Sequence, residues 1–147
     1  MQQGSTVCSC VCVCAASAVL AVFFQSAVYN VSEGSTVELV LVTDRMFTFP
    51  VSVELSTRNG SAVQGLDFVG QGIQVTLDVT SQSALVPVQA LHDSLCEGAE
   101  QFTVALSQFL PTTMPRIVIG SPGVASVSIM DLTGKCGTPS ANVCLCS

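Results

Sequence analysis

The chain reads as all-β, an antiparallel β-sandwich of about seven strands. Three observations point there. Apolar residues recur with period two in short runs, the runs are rich in β-branched side chains, and turn-forming clusters separate them at regular spacing. No stretch carries the three-and-four spacing of an amphipathic helix, and no internal repeat is visible.

The first clear run is "TVELVLV", with Val37, Leu39 and Leu41 on one face. "VSVELST" puts Val51, Val53 and Leu55 inward and Ser52, Glu54 and Ser56 outward. "IQVTLDV" repeats the pattern with Ile73, Val75, Leu77 and Val79. In "VPVQA", Pro87 lacks the N–H that a central ladder needs, which predicts an edge strand or a bulge. "QFTVALS" offers Phe102, Val104 and Leu106, and "ASVSIMD" offers Ala125, Val127 and Ile129. Between them lie "SEGS", "RNGS", "GQG", "TSQS" and "GSPG", all rich in turn residues. Function in such a sandwich belongs to the loops at its ends.

With 147 residues the chain is long enough for one domain with a substantial core. Apolar residues make up 49% and charged residues only 10%, with ten acids against four bases: Arg45, Arg58, Arg116 and Lys135. A net charge of -6 with no basic patch excludes nucleic acid as a partner and disfavours anionic membrane surfaces. The acid excess suits a hard cation. Asp93, Glu97 and Glu100 stand out, because three carboxylates within eight residues repel one another.

Eight cysteines are placed lopsidedly: Cys8, Cys10, Cys12 and Cys14 near one end, Cys136, Cys144 and Cys146 near the other, Cys96 between. The middle of the chain must therefore fold on its apolar core, and the pairing of any bridges is not readable from sequence. The repeated C-x-C spacing departs from the C-x₂₋₄-C of zinc sites. Cys96 reads as a small buried residue or a loop thiol. Two sequons, Asn30-Val31-Ser32 and Asn59-Gly60-Ser61, are glycan acceptors if the chain is exported.

Residues 1–18 form a Cys-rich apolar leader with three readings. A small-residue pattern, Ala16-Ser17-Ala18, resembles a signal cleavage site, but no Lys or Arg precedes the apolar run. The segment also reads as low-complexity sequence, and Val7 to Phe24 is long enough for a membrane span. The main domain is expected over residues 19–133, with a Cys-containing tail over 134–147. An enzyme is not expected: His92 is the only histidine, no G-x-S-x-G motif occurs, and no small-molecule substrate is indicated. A lone histidine beside a loop is ordinarily solvated or hydrogen-bonded.

The order of landmarks is specific. "VYNVSEGSTVELVLV" carries Y-x-V-x-E-G; "GLDF" carries G-x-D-F; "DSLCEGAEQFTVAL" carries D-x-x-x-E-G-x-E-x-F-x-V-x-L; and "ASVSIMD" is a last strand ending in Asp. Together these resemble the Calx-beta domain, found in sodium–calcium exchanger regulatory regions and in large extracellular adhesion proteins. The resemblance covers roughly residues 19–133. It implies an immunoglobulin-like sandwich with calcium held among loops at one tip. Matched position by position, the implied ligands are Glu33, Asp67, Asp93, Glu97, Glu100 and Asp131. Two departures reduce the implied site to a single, weak Ca2+ position. His92-Asp93 stands where strong binders have two adjacent acids, and Asp131-Leu132-Thr133 replaces an acidic run.

The resulting expectation is a calcium-binding extracellular module, or one on the extracellular face of a membrane protein, with a structural, adhesion or cell-communication role. Its partners would be the ion and neighbouring Calx-beta or other extracellular modules. Two alternatives stay open: a metal-free structural repeat, and a regulatory calcium sensor of a membrane transporter. Each acid also has an ordinary role of its own. Glu33 beside Gly34 shapes a turn, Asp67 caps a bend, and Glu97 and Glu100 form a solvated rim.

Overall fold

The computed structural model describes residues 19–70, 72–77, 79–95, 97–110 and 117–131. The leader, Cys96 and the tail beyond residue 131 lie outside them. Nine strands are present among these residues: β1 (Leu20–Phe24), β2 (Val28–Ser32), β3 (Thr36–Thr43), β4 (Val51–Asn59), β5 (Ile73–Leu77), β6 (Ser83–Gln89), β7 (Glu100–Leu110), β8 (Ile117–Ile119) and β9 (Val124–Met130). They form a four-stranded sheet, β6-β3-β1-β8, and a five-stranded sheet, β2-β9-β7-β4-β5. Among the described residues no helix is long and apolar enough to cross a membrane.

The count exceeds seven because two stretches each change sheets partway. Residues 20–32 begin as β1 in one sheet and continue as β2 in the other, and residues 117–130 do the same as β8 and β9. The two stretches run side by side, so β1–β8 and β2–β9 are parallel while the other ladders are antiparallel. Tyr29 fastens the crossing: its hydroxyl accepts the amide of Val40 at 3.2 Å and that of Ser26 at 3.3 Å. The end of the apolar run Val7 to Phe24 is strand β1. Its alternation sends Leu20, Val22 and Phe24 into the core.

Period-two reading places the interior correctly. Leu39, Leu41, Val51, Val53, Leu55, Phe102, Val104, Leu106, Ala125, Val127 and Ile129 are buried, and Val37 is half-buried. Pro87 lies on β6, an edge strand, opposite Glu38, with Val86 and Val88 buried on either side. β5 is one edge of the other sheet, so Ile73 and Val75 are only partly covered. A bulge between Glu54 and Leu55 leaves Ser107 unpaired in the β4–β7 ladder, and its hydroxyl donates to the Glu54 carbonyl at 2.9 Å.

One aromatic pair ties the core to the end where β7 begins. Phe68 stacks on Phe102 with ring centroids 3.8 Å apart and planes 7° from parallel, both rings fully buried. Burying a phenyl ring stabilises by about 1.5–3 kcal/mol, and an aromatic pair adds about 0.5–1.5 kcal/mol. Phe68→Ala is expected to cost about 3–5 kcal/mol in urea unfolding, and Phe68→Leu clearly less. The double variant Phe68→Ala/Phe102→Ala should cost less than the sum of the two single losses, because the pair is shared.

Candidate metal centre

Strand direction brings the six acids to one end. The parallel strands β2 and β9 both finish there, with Ser32 opposite Met130, so Glu33 and Asp131 emerge together. β7 begins at the same end, with Glu100 opposite Ile129. The loop after β4 carries Asp67, and the segment joining β6 to β7 carries Asp93 and Glu97.

Each acid is held by local structure. Glu33 and Gly34 are the central residues of a turn closed by the Ser35 amide on the Ser32 carbonyl at 3.0 Å. Gly34 takes φ +71°, a left-handed conformation that side chains resist. The turn leaves Glu33 at 9% exposure, a buried acid. Its Oε2 lies 3.2 Å from His92 Nδ1, while the imidazole itself is mostly exposed. Asp67 precedes the buried Phe68, and its carbonyl accepts the Leu91 amide at 2.8 Å. Its carboxylate accepts the Val63 amide at 2.6 Å. Asp93 accepts the Leu95 amide at 2.7 Å, and Asp131 accepts the Glu97 amide at 3.3 Å.

Three carboxylates converge closely. Asp67, Glu97 and Glu100 each present an oxygen within 4.8 Å of the others, and all three are half-buried. Beside them is a small cavity of ≈ 10 Å³ lined by Glu33, Asp67, Asp93, Glu100, Leu66 and Ile129, among others. That is about the space of one water molecule. Asp67 and Glu100 belong to both groupings. Glu33 and Asp93 reach the cavity without joining the tight trio, and Asp131 adjoins it through the Glu97 backbone.

The crowding has an electrostatic signature. Glu97 titrates above the ordinary glutamate range because of burial, then because of Asp93, Asp67, Glu33 and Asp131. Glu100 is raised by burial, then by the charges of Asp67 and Glu97, a side-chain hydrogen bond with Asp67, and Asp93. The donors are carboxylate oxygens, the ligand type of a hard cation. Calcium bonds oxygen at about 2.3–2.6 Å, so its ligand atoms span up to about 5 Å across the ion. A trio inside 4.8 Å fits that span.

Sequence reasoning missed the partners of this tip. Alternation marked Ile129 as an inward residue, but nothing in the sequence ties Leu66, Leu91 and Ile129 to one wall beside the acids. The loop of Asp67 is braced by Asn59 and Ser61, whose side-chain oxygens accept the Gln64 amide at 3.0 Å and the Gln101 amide at 2.8 Å. In the sequence they stand out only as turn residues and as a sequon.

Solved structures share the fold. An apo-form Calx CBD1 domain superposes with TM-score 0.69 at 23% identity, covering 78% of this chain and 98% of that one. A Calx CBD2 domain gives TM-score 0.65 at 15% identity, covering 78% and 88%. The calcium binding domain CBD12 of CALX1.1 gives TM-score 0.65 at 24% identity; this chain is covered over 75% and spans 45% of that longer chain. Comparison with curated proteins gives no significant match. The family model of the Calx-beta domain matches residues 16–133, so this chain belongs to the Calx-beta domain family.

Proposed function

We propose that the chain is a calcium-binding module whose tip holds one ion, weakly, between Asp67, Glu97 and Glu100. The observation behind this is the mutual approach of three carboxylate oxygens within 4.8 Å, beside a cavity that two further acids line. Glu33 and Asp93 stand ready to complete the shell, alone or through water, and Asp131 orients the Glu97 segment. The ion would supply the positive charge that relieves their repulsion. Binding then orders the loops at the tip and stiffens the junction to a neighbouring module. The role is mechanical and not catalytic, and we place it outside the cell, in an adhesion or communication protein. Two sequons and an apolar leader ending in small residues support that placement.

One observation favours a second reading, a metal-free structural repeat. Asp67, Asp93 and Asp131 already accept backbone amides, as acids do in loops that bind nothing. Melting with calcium and with chelator separates the two. A single-site ligand at a hundredfold excess over its Kd stabilises by about 2.7 kcal/mol. Calcium is expected to raise the melting temperature, and calorimetric titration should give one site. Asp67→Asn or Glu100→Gln should weaken binding at least about tenfold, about 1.4 kcal/mol. Glu54→Gln, in mid-strand, should leave it unchanged. Equal melting with calcium and chelator would establish the metal-free reading.

The raised carboxylates give a pH test. Where a folded-state pKa lies above the unfolded one, the folded chain binds more protons, so stability falls as pH rises through that interval. For Glu97 and Glu100 the interval starts at the ordinary value of 4.5 and extends to their raised values. In chelator, wild type should lose melting temperature relative to Glu100→Gln as pH climbs from 4.5 towards neutrality. Saturating calcium should abolish the difference.

A further inference from the structure

We infer that Asn30 is an N-glycan acceptor and that its sugar covers the open edge of the five-stranded sheet. The inference rests on the extracellular placement proposed above. β2 is an edge strand, paired with β9 on one side only. Its neighbours along the strand point inward: Val31 is buried, and Tyr29 reaches the Val40 amide. Asn30 therefore faces out and is exposed, and its side chain makes no hydrogen bond among the described residues. The sequon is complete, with Ser32 two residues on along the same face.

The surroundings give the sugar something to cover. Asn30 lies opposite Ser128, between the Val28–Ser126 and Ser32–Met130 pairs. On that outer face Val28 and Val124 are exposed at 60% and 51% at one end and Met130 at 49% at the other, with Ser126 and Ser128 between them. An open edge flanked by apolar side chains is a template for pairing with another chain. A bulky hydrated substituent at the middle of β2 blocks that approach.

The second sequon is built differently. Asn59 Oδ1 accepts the Gln64 amide, Ser61 Oγ accepts the Gln101 amide, and a Cβ at Gly60 would collide with the Gln101 carbonyl oxygen. Its amide and hydroxyl serve the loop that carries Asp67. Asn30 is the acceptor the fold leaves unengaged.

The transfer needs a lipid diphosphate-linked oligosaccharide and the transferase of the secretory pathway. Asn30 Nδ2 attacks the anomeric carbon, an N–C bond forms, and the C–O bond to the diphosphate breaks. The lipid diphosphate leaves with the bonding pair, and Nδ2 gives up one proton.

The full chain, secreted from eukaryotic cells behind a heterologous signal peptide, tests this. Peptide mass spectrometry after glycosidase treatment should find Asn30 occupied in wild type and in Asn59→Gln. It should find no glycan at that position in Asn30→Gln or Ser32→Ala. Secreted protein with Asn30 bare, or with sugar at Asn59 alone, overturns the assignment. The chain's own residues 1–18 are tested in parallel. Retention inside the cell with them, alongside Asn30 occupancy behind the heterologous signal, refutes the extracellular reading and still supports the acceptor. Sedimentation of native and enzymatically deglycosylated protein reads the covering role. Concentration-dependent association only of the bare protein is expected, and a monomer in both cases overturns that role.

Discussion

The tip depends on one packing contact, the stack of Phe68 on Phe102. Phe102 sits two residues into the ladder after Glu100, and Phe68 directly follows Asp67. Locking the two rings face to face therefore fixes two carboxylates from remote parts of the chain at one place. Hydrogen bonds complete the anchorage: the Val69 amide reaches the Gln89 carbonyl at 2.9 Å, and the Leu91 amide reaches that of Asp67 at 2.8 Å. These ties carry the loop along the end of β6 and hold the segment bearing Asp93 against it. Apolar burial supplies the free energy that sets charged groups against one another, since the acids would not assemble unaided.

That arrangement is in tension. The core favours the closed tip, while the charges on Glu97 and Glu100 oppose it. The chain meets the conflict partly by directing several acids onto backbone amides, where a carboxylate is stabilised without a cation. Glu33 takes another course, with His92 beside it at the edge of solvent. Glu97 and Glu100 are the acids whose titration the crowding raises, and there a divalent ion would change the energetics most.

The strand interiors were legible because the alternation of side chains is a local property of an extended backbone. Val51, Val53 and Leu55 show this cleanly, as does the edge position of Pro87. Sheet-switching was not legible. Whether Leu20–Phe24 and Val28–Ser32 belong to one sheet or two depends on which strands flank them, and no local pattern encodes that. The run Val7 to Phe24 looked continuous for the same reason: hydrophobicity alone does not distinguish a buried strand from the end of a longer apolar segment. At the tip, the order of motifs identified the acids, but their pairwise distances are set by long-range register. Ser32 opposite Met130 and Glu100 opposite Ile129 bring the ligands together, and neither pairing is visible in sequence.

The side-by-side course of the first and last strands bears on how this domain would transmit tension. Leu20 lies at the end opposite the tip, beyond the pairing of Val22 with Thr43, and Asp131 leaves at the tip itself. A pull applied between those residues runs along β1–β8 and β2–β9, which are parallel. Their hydrogen bonds would be sheared together and not peeled one at a time. Rupture then requires many bonds to fail in a single event, the geometry of a stiff link in a tether.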